Sequence, residues 1–179
     1  DAAIKEDPNT IAVKKGRDRS GGAWGRFMNT LGSATVLNHT SVCESSKKIG
    51  MEPTWGPDIE TPDFANAKYV LNFGSNILEA AYFHNPLSQR VTEGRVDNHA
   101  KIVTFDVRLS NTAGFSDDWI PVFPGTDGAV ALAMGHVILR EDLQDSEFIE
   151  TWTNVTVKEL KDHYKQFTPE WASKISGVP

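Results

Sequence analysis

An alternation of short apolar segments and longer helical patterns between residues 69 and 140 constrains the fold of this chain more than any other feature. Three segments have the aromatic and β-branched content of strands, and each is closed by Gly, Asp or Pro: Tyr69–Phe73, Lys101–Phe105 and Trp119–Phe123. Helical patterns lie over 77–93 and 127–140. Since crossover helices join parallel strands, we expect an α/β fold, a Rossmann-like three-layer domain with a mostly parallel sheet.

The segments on either side of this alternation predict a short N-terminal part and a helical C-terminal part. Toward the N terminus we expect a strand over 10–14, a helix over 23–31 that ends at Gly32, an extended segment over 34–37, a short helix over 44–49 and a Pro- and Gly-rich loop over 50–63. Toward the C terminus, Thr156 begins a capping box and Thr168-Pro169 begins another helix. A chain of 179 residues is expected to form one α/β domain over 1–179.

Small and polar residues follow the first strand of the alternation. Gly74, Ser75 and Asn76 come directly after it, and Glu79 lies just beyond. Parallel α/β sheets bind ligands at the carboxyl ends of their strands, and glycine there lets the backbone approach a phosphate closely. These residues are therefore candidates for nucleotide binding. An ordinary turn followed by a helix cap explains the same residues equally well.

The other two strands end on residues of similar character. Asp106 ends the second strand, where Rossmann-type sheets bind ribose hydroxyls, and Arg108 is placed to pair with a phosphate. Gly125 follows the third strand, and Asp127 is placed to accept the paired N–H donors of a guanine. A strand cap, a solvated arginine and a helix cap at Thr126 are the simpler interpretations. Three such ends together favour one extended nucleotide across the sheet edge.

The single cysteine, Cys43, lies in the polar segment NHTSVCESS. Structural cysteines usually lie among apolar residues, so this context leaves a nucleophile or a metal ligand open. Composition alone still favours an unreactive cysteine. His39 is equally well interpreted as a polar loop residue or as a residue that faces a substrate. One cysteine cannot form an internal disulfide or hold an iron–sulfur cluster.

Charge and hydropathy argue against two classes of partner. The net charge is −6 at pH 7 and the chain has no basic tract, whereas nucleic-acid affinity depends on neutralising phosphates. No apolar run approaches the roughly 18 residues that a membrane span needs. We therefore expect no nucleic-acid partner and no direct membrane insertion.

Four segments together resemble the molybdopterin oxidoreductases of the dimethyl sulfoxide reductase family. They are GRDRSGGAWGRFMNTLGS, NHTSVCESSKKIG, PDFANAKYVLNFGSNILEA and TFDVRLSNTAGFSDDWIPVFPGTDGAVALAMGHVI. The last is the most specific, because Asp-x-Arg, Thr-Ala, Asp-x-Trp and Pro-Gly-Thr-Asp before an apolar helix are typical of the family's guanine dinucleotide domain. The resemblance covers nearly the whole chain, but only part of a typical catalytic subunit.

The resemblance implies a role for each candidate residue. Cys43 would be the catalytic ligand of molybdenum or tungsten, bound through its thiolate, and His39 would face the substrate. A soft thiolate suits a metal already held by dithiolene sulfurs. The residues that match the family's cofactor loops would bind one of two molybdopterin guanine dinucleotides: Gly74, Ser75, Asn76, Glu79, Asp106, Arg108, Gly125 and Asp127.

The activity that the resemblance implies is two-electron redox or oxo transfer on a small anionic substrate, with a sulfur or arsenic compound favoured. An iron–sulfur cluster is expected elsewhere in the full-length chain, because this segment lacks the cluster's cysteine motif. The implied partners are the remaining domains of the same subunit and an iron–sulfur electron-transfer subunit. We therefore expect a fragment of a larger catalytic subunit that is inactive by itself. The SVCESSKKIG context resembles most the branch of thiosulfate, polysulfide, tetrathionate and arsenate reductases, whose members are mostly exported, which favours a periplasmic location.

Two other functions fit parts of the sequence. A Rossmann-type nucleotide-binding module without a redox role needs only the three strand ends and leaves Cys43 unused. A cysteine-nucleophile enzyme needs the His39 imidazole within hydrogen-bond reach of the Cys43 thiol.

Overall fold

The computed structural model describes residues 2–16, 20–56, 61–80 and 84–179. The chain divides into two compact units, Asp1–Pro62 and Asp63–Pro179. The single domain expected over 1–179 stays a prediction. None of the described helices is long and apolar enough to span a membrane.

The N-terminal unit combines short helices with a two-stranded parallel sheet. Its elements are α1 (Ala2–Glu6), a 3₁₀ turn (Pro8–Thr10), β1 (Val13–Lys15), α2 (Gly21–Leu31), β2 (Val36–Asn38), α3 (Thr40–Cys43) and α4 (Ser45–Trp55). β1 pairs with β2 in parallel. α2 confirms the predicted helix and ends at Gly32, whose φ of 79° lies in the left-handed region that glycine adopts at helix ends.

Two bounds predicted for this unit are wrong. The strand expected over 10–14 begins later, since β1 spans Val13–Lys15. Thr10 belongs instead to the 3₁₀ turn over Pro8–Thr10, which the Asp7 carboxylate caps. The loop expected over 50–63 is helical at its start, since α4 continues through Pro53 and ends at Gly56. A proline removes only its own backbone donor, and the Gly56 N–H still closes the last turn on the Glu52 carbonyl. Residues 57–60 of that loop and 17–19 of the GRDRSGG segment lie outside the described residues.

The C-terminal unit is built on a three-stranded parallel sheet. Its elements are β3 (Tyr69–Phe73), α5 (His84–Asp97), β4 (Lys101–Asp106), α6 (Asn111–Phe115), β5 (Asp118–Pro121), α7 (Asp127–Arg140), α8 (Ser146–Trp152), α9 (Val157–Tyr164) and α10 (Pro169–Ser176). The strand order is β3-β4-β5, and both pairs are parallel. The predicted α/β fold with a parallel sheet and a helical C-terminal part is confirmed.

The central strand, β4, supplies side chains to apolar layers on both faces of the sheet. Ile102 packs with Val91 of α5, whereas Val103 and Phe105 pack with Val130 of α7. This division follows from the alternation of successive side chains along a strand. Burying such a side chain stabilises the fold by about 1.5–3 kcal/mol relative to leaving it exposed. Helices on both faces give the predicted three layers.

The helix expected over 77–93 begins later than predicted. Residues 77–80 form a turn, α5 spans His84–Asp97, and 81–83 lie outside the described residues. Pro86 lies in the first turn of α5 and is not a kink. The first four amides of a helix have no partner within the helix, so the missing N–H of a proline is tolerated there.

The caps of the last two helices confirm the sequence prediction. Thr156 and Glu159 form a complete capping box at the start of α9. The hydrogen bonds that the Thr156 backbone N–H and hydroxyl donate to the Glu159 carboxylate lower the pKa of that group. Thr168 accepts a hydrogen bond from the Trp171 N–H at the start of α10. Thr126 precedes α7 as expected but makes no side-chain cap, because its hydroxyl donates to the Phe123 carbonyl.

Candidate functional site

Gly74, Asp106 and Gly125 lie at the carboxyl edge of the three-stranded sheet. Gly74 directly follows β3, and Asp106 is the last residue of β4. Phe73 pairs with Phe105, and Asp106 pairs with Pro121, the last residue of β5. Gly125 follows within the short turn between β5 and α7. The predicted convergence of the three strand ends at one edge is therefore confirmed.

The loop after β3 is fixed to the sheet and leaves open space at its glycine. The Gly74 N–H donates to the Phe105 carbonyl at 2.8 Å. Its φ is 64°, and no atom lies within 4 Å of the position that a Cβ would take. Asn72, which is buried, donates from its amide to the Ser75 carbonyl at 2.8 Å and to Thr104 Oγ1 at 3.3 Å. The backbone is thus accessible at Gly74 while the turn around it is held in place.

The Glu79 carboxylate joins the loop after β3 to the loop after β4. It accepts hydrogen bonds from the side-chain amides of Asn76 and Asn111. The guanidinium of Arg108 lies 3.8 Å from the same carboxylate and is mostly exposed. Ser75, beside them, is exposed. The loops after β3 and β4 therefore contribute to one continuous polar surface.

The Asp106 side chain is buried and organises the turn that follows β4. Its carboxylate accepts a hydrogen bond from Ser110 Oγ at 3.0 Å and one from the Arg108 N–H at 3.4 Å. The Asp106 carbonyl accepts a bond from the indole N–H of Trp119 at 3.0 Å. Since an ionised carboxylate has about four lone-pair sites, Asp106 retains acceptor capacity for a ligand hydroxyl.

The turn before α7 presents an open glycine and an unpaired carboxylate. Gly125 has a φ of 77°, and no atom lies within 4 Å of a Cβ built on it. Asp127 is the first residue of the 14-residue helix α7. Among the described residues, none donates a hydrogen bond to the Asp127 carboxylate or forms an ion pair with it. A helix N-terminus carries partial positive charge and backbone donors, so this turn combines donors with a carboxylate acceptor.

This set of groups fits a nucleotide with a diphosphate. Two accessible glycine backbones, at Gly74 and Gly125, allow close approach of phosphate oxygens. The exposed Arg108 guanidinium supplies positive charge, while the Asp106 and Asp127 carboxylates accept from hydroxyl and N–H donors. The open backbone, the positive charge and the carboxylate acceptors that such a ligand needs therefore lie at one edge of one sheet.

Sequence analysis missed the buried polar residues that hold these loops. Asn72, Thr104, Ser110 and Thr112 are each at most 5 % exposed and hydrogen-bonded. One signal was visible: in YVLNF and KIVTF a polar residue, Asn72 or Thr104, lies between two apolar residues of a strand. A second signal was Ser110, a residue type that often caps helices. Its hydroxyl accepts a hydrogen bond from the Ala113 N–H and caps α6, which lies within the segment predicted as a loop after β4.

Cys43 and His39 belong to the N-terminal unit. Cys43 is the last residue of α3, and its side chain is an exposed free thiol. Its N–H donates to the His39 carbonyl at 3.1 Å, and His39 is exposed. Within the described part of the chain, the His39 imidazole makes no hydrogen bond to the thiol, and no three His, Cys, Asp or Glu side chains are grouped as a metal site. The arrangement therefore offers a single accessible thiol.

The fold is an α/β domain with a parallel sheet and polar loops at its strand ends, and sequence comparison gives its family. The chain belongs to the molybdopterin oxidoreductase family, whose model matches residues 8–167. The resemblance found in the sequence is thereby confirmed.

Several curated relatives are catalytic subunits of reductases. The chain is 36% identical to the molybdopterin-containing subunit of thiosulfate reductase from Salmonella typhimurium, covering 83% of this chain and 19% of the relative. It is 31% identical to the molybdopterin-containing subunit of arsenate respiratory reductase from a Shewanella species, over 98% of this chain and 23% of the relative. Dimethyl sulfoxide reductase from Haemophilus influenzae is 31% identical, and the match covers 86% of this chain and 22% of the relative. The chain thus spans about a fifth of the length of these relatives.

A solved structure has the same fold. Acetylene hydratase from Pelobacter acetylenicus superposes with a TM-score of 0.78 at 25% sequence identity. The match covers 99% of this chain and 25% of the hydratase chain. The fold described above therefore matches that of a segment within the much longer hydratase chain.

Proposed function

We propose that this chain is the segment of a molybdopterin-dependent oxidoreductase that binds one molybdopterin guanine dinucleotide and supplies Cys43 as the metal ligand. The observation that carries the proposal is the meeting of Gly74, Asp106 and Gly125 at the carboxyl edge of one parallel sheet. Membership of the molybdopterin oxidoreductase family supports a molybdopterin cofactor, and its guanine dinucleotide form is part of the proposal.

Each group at the sheet edge has a chemical role in this proposal. Ser75, Gly125 and the Arg108 guanidinium bind phosphate oxygens, and Gly74, whose N–H is already bonded to the Phe105 carbonyl, leaves room for these oxygens to approach. Asp106 accepts from ribose hydroxyls, and Asp127 accepts from the paired N–H groups of guanine. The remaining two residues, Asn76 and Glu79, complete the loop after β3 and orient it toward the ligand. When bound, the cofactor supplies two-electron redox chemistry at molybdenum or tungsten.

Cys43 binds the metal through its thiolate in this proposal. A soft sulfur ligand suits a metal that dithiolene sulfurs already hold. The exposure of the Cys43 side chain supports this role, because a ligand must be accessible before the metal arrives. His39, exposed four residues earlier, is proposed to face the substrate. A thiol buried among aliphatic side chains would have favoured the unreactive interpretation instead.

The whole protein is proposed to transfer two electrons or an oxo group to or from a small anion that contains sulfur or arsenic. The names of the thiosulfate and arsenate reductase relatives support this substrate class. Redox chemistry at the metal requires an electron path, so we propose an iron–sulfur cluster elsewhere in the full-length chain. An iron–sulfur electron-transfer subunit and the remaining domains of the same subunit are the proposed partners.

The substitution Asp127→Asn tests the nucleotide role. An amide presents an N–H toward the guanine donors, so the variant loses at least one acceptor for the cofactor bound at this site. Because the whole protein is expected to bind two such cofactors, its guanosine nucleotide content should fall by about half or more. The protein that carries this chain would be produced in a host that makes the cofactor, and guanosine nucleotide released by acid hydrolysis would be measured per mole of protein. Glu150→Gln, an exposed carboxylate change on α8, is the control. Wild-type nucleotide content in Asp127→Asn would refute the guanine contact.

A further inference from the structure

A single buried hydroxyl joins the loop after β3 to the helix after β4. Thr112 lies in α6 and is 3 % exposed. Its Oγ1 donates to Asn76 Oδ1 at 2.9 Å and accepts from the Leu78 N–H at 3.0 Å. Both partners belong to the loop that carries Gly74. The hydroxyl therefore holds this loop at two points, through its one proton and one of its lone pairs.

Thr112 is itself fixed to the sheet by a run of hydrogen bonds. Ser116 Oγ donates to the Thr112 carbonyl at 2.8 Å and lies 2.6 Å from Thr104 Oγ1. Thr104, on the central strand, is fully buried and also accepts from the Asn72 amide. Since β4 lies between the other two strands, this run ties α6 to the most constrained part of the sheet. A loop held by Thr112 is thus held indirectly by β4.

We propose that Thr112 is a positioning residue of the nucleotide site, which holds residues 74–79 in the arrangement that leaves the Gly74 backbone open to a phosphate. The inference rests on the proposed function and extends it to a residue that has no contact with the ligand. Without the hydroxyl, the Leu78 N–H and Asn76 Oδ1 lose their partner, and the loop gains other conformations. Binding then weakens because only a fraction of the molecules has the competent loop.

Three variants separate positioning from general stability. Thr112→Val keeps the shape of the side chain and removes the hydroxyl, whereas Thr112→Ser keeps the hydroxyl and removes a methyl group. Leu139→Ala truncates a buried side chain in the last turn of α7, at the opposite end of that helix from Asp127. It is the control for a loss of stability that leaves Thr112 intact.

The rate of amide hydrogen exchange at Leu78 in this chain measures how often the loop after β3 opens, and the measurement needs no cofactor. We expect Thr112→Val to speed this exchange by about tenfold, since one hydrogen bond of ordinary net strength is lost. Thr112→Ser and Leu139→Ala are expected to keep the wild-type rate after correction for global stability. An unchanged rate in Thr112→Val, or an equal increase in Leu139→Ala, would overturn the proposal.

Guanosine nucleotide content of the protein that carries this chain is the second readout. We expect it to fall by up to about half in Thr112→Val, because the second cofactor of the whole protein is unaffected, and to stay at the wild-type level in Thr112→Ser. Wild-type content in Thr112→Val, beside a reduced content in Asp127→Asn, would overturn the positioning role alone. A wild-type protein without guanosine nucleotide would refute the proposed function, while the Leu78 exchange rates would still decide whether Thr112 holds the loop.

Discussion

The candidate carboxylates at the sheet edge differ in how many partners the protein itself provides. Glu79 accepts from two side-chain amides, and Asp106 accepts from a buried serine hydroxyl. Asp127 has no such partner among the described residues and lies where the dipole of α7 favours negative charge. A carboxylate stabilised by a helix N-terminus keeps its lone pairs for a ligand. Base recognition is therefore expected to depend on Asp127 more than on the other two carboxylates.

Substitution of Cys43 is expected to leave the fold intact and to change the chemistry. Its side chain is exposed, and surface substitutions away from special features usually change stability by only about 0.5 kcal/mol or less. Cys43→Ser and Cys43→Ala should each abolish or strongly alter turnover in the protein that carries this chain, since a hydroxyl or a missing ligand changes the electronic tuning of the metal. The measurements are circular dichroism, turnover and the X-ray absorption spectrum of the metal.

The control for these substitutions is Ser46→Ala, a change at an exposed position nearby in α4. It should leave turnover and the metal spectrum unchanged. Wild-type turnover together with a wild-type metal spectrum in both Cys43 variants would show that another group binds the metal.

At the scale of elements, α7 links the candidate site to the C-terminal helices. Its first turn carries Asp127, while Ala129 and Ala133 pack against Ala172 of α10. Further along the helix, a Cβ on Gly135 would overlap the ring of Tyr164 on α9, and His136 Nδ1 is hydrogen-bonded to the Tyr164 carbonyl at 2.8 Å. Small residues on α7 thus allow α9 and α10 to approach it closely, which fixes the helix whose N-terminus faces the site.

Two glycines of α7 provide a matched test of this close packing. Gly135→Ala adds a methyl group where the Tyr164 ring already lies, so it should lower the free energy of unfolding by about 1–3 kcal/mol. Gly128→Ala adds the same group where, among the described residues, no atom outside the neighbouring backbone of the helix lies within 4 Å, and it should be neutral or stabilising by up to about 1 kcal/mol. Urea denaturation followed by circular dichroism measures both. Equal changes in the two variants would mean that α9 does not constrain α7.

Elements with strong local signals were predictable from the sequence. The strands β3 and β4 were found from composition and closing residues, and α9 and α10 from their caps. The short helix α6 was missed because its five residues depend on hydrogen bonds between Thr112 and the loop after β3, and on those of the flanking Ser110 and Ser116 to β4. The parallel topology of the sheet was enough to predict that the candidate residues lie at its carboxyl edge. The proposed role of Thr112 could not be predicted from the sequence, because it depends on the conformation of the loop after β3.

At the scale of the whole molecule, the candidate groups are divided between the two units. Cys43 and His39 belong to the N-terminal unit, and the strand-end loops belong to the C-terminal unit. The chain spans about a fifth of the length of its curated relatives, so a complete active site is proposed to require the rest of the protein. The nucleotide site has a simpler requirement, because all its proposed residues lie within 63–179.

Titration of the 179-residue chain with guanosine diphosphate, the guanine half of the proposed cofactor, tests the central claim most directly. Backbone amide shifts would be followed by nuclear magnetic resonance, with adenosine diphosphate as the control. We predict that the largest shifts occur at residues 74–76, 106–108 and 125–128, and that the adenine nucleotide produces smaller ones because it lacks the paired donors that Asp127 accepts. Shifts at the amino edge of the sheet, around Lys101 and Asp118, or no response at the three strand ends, would contradict the account.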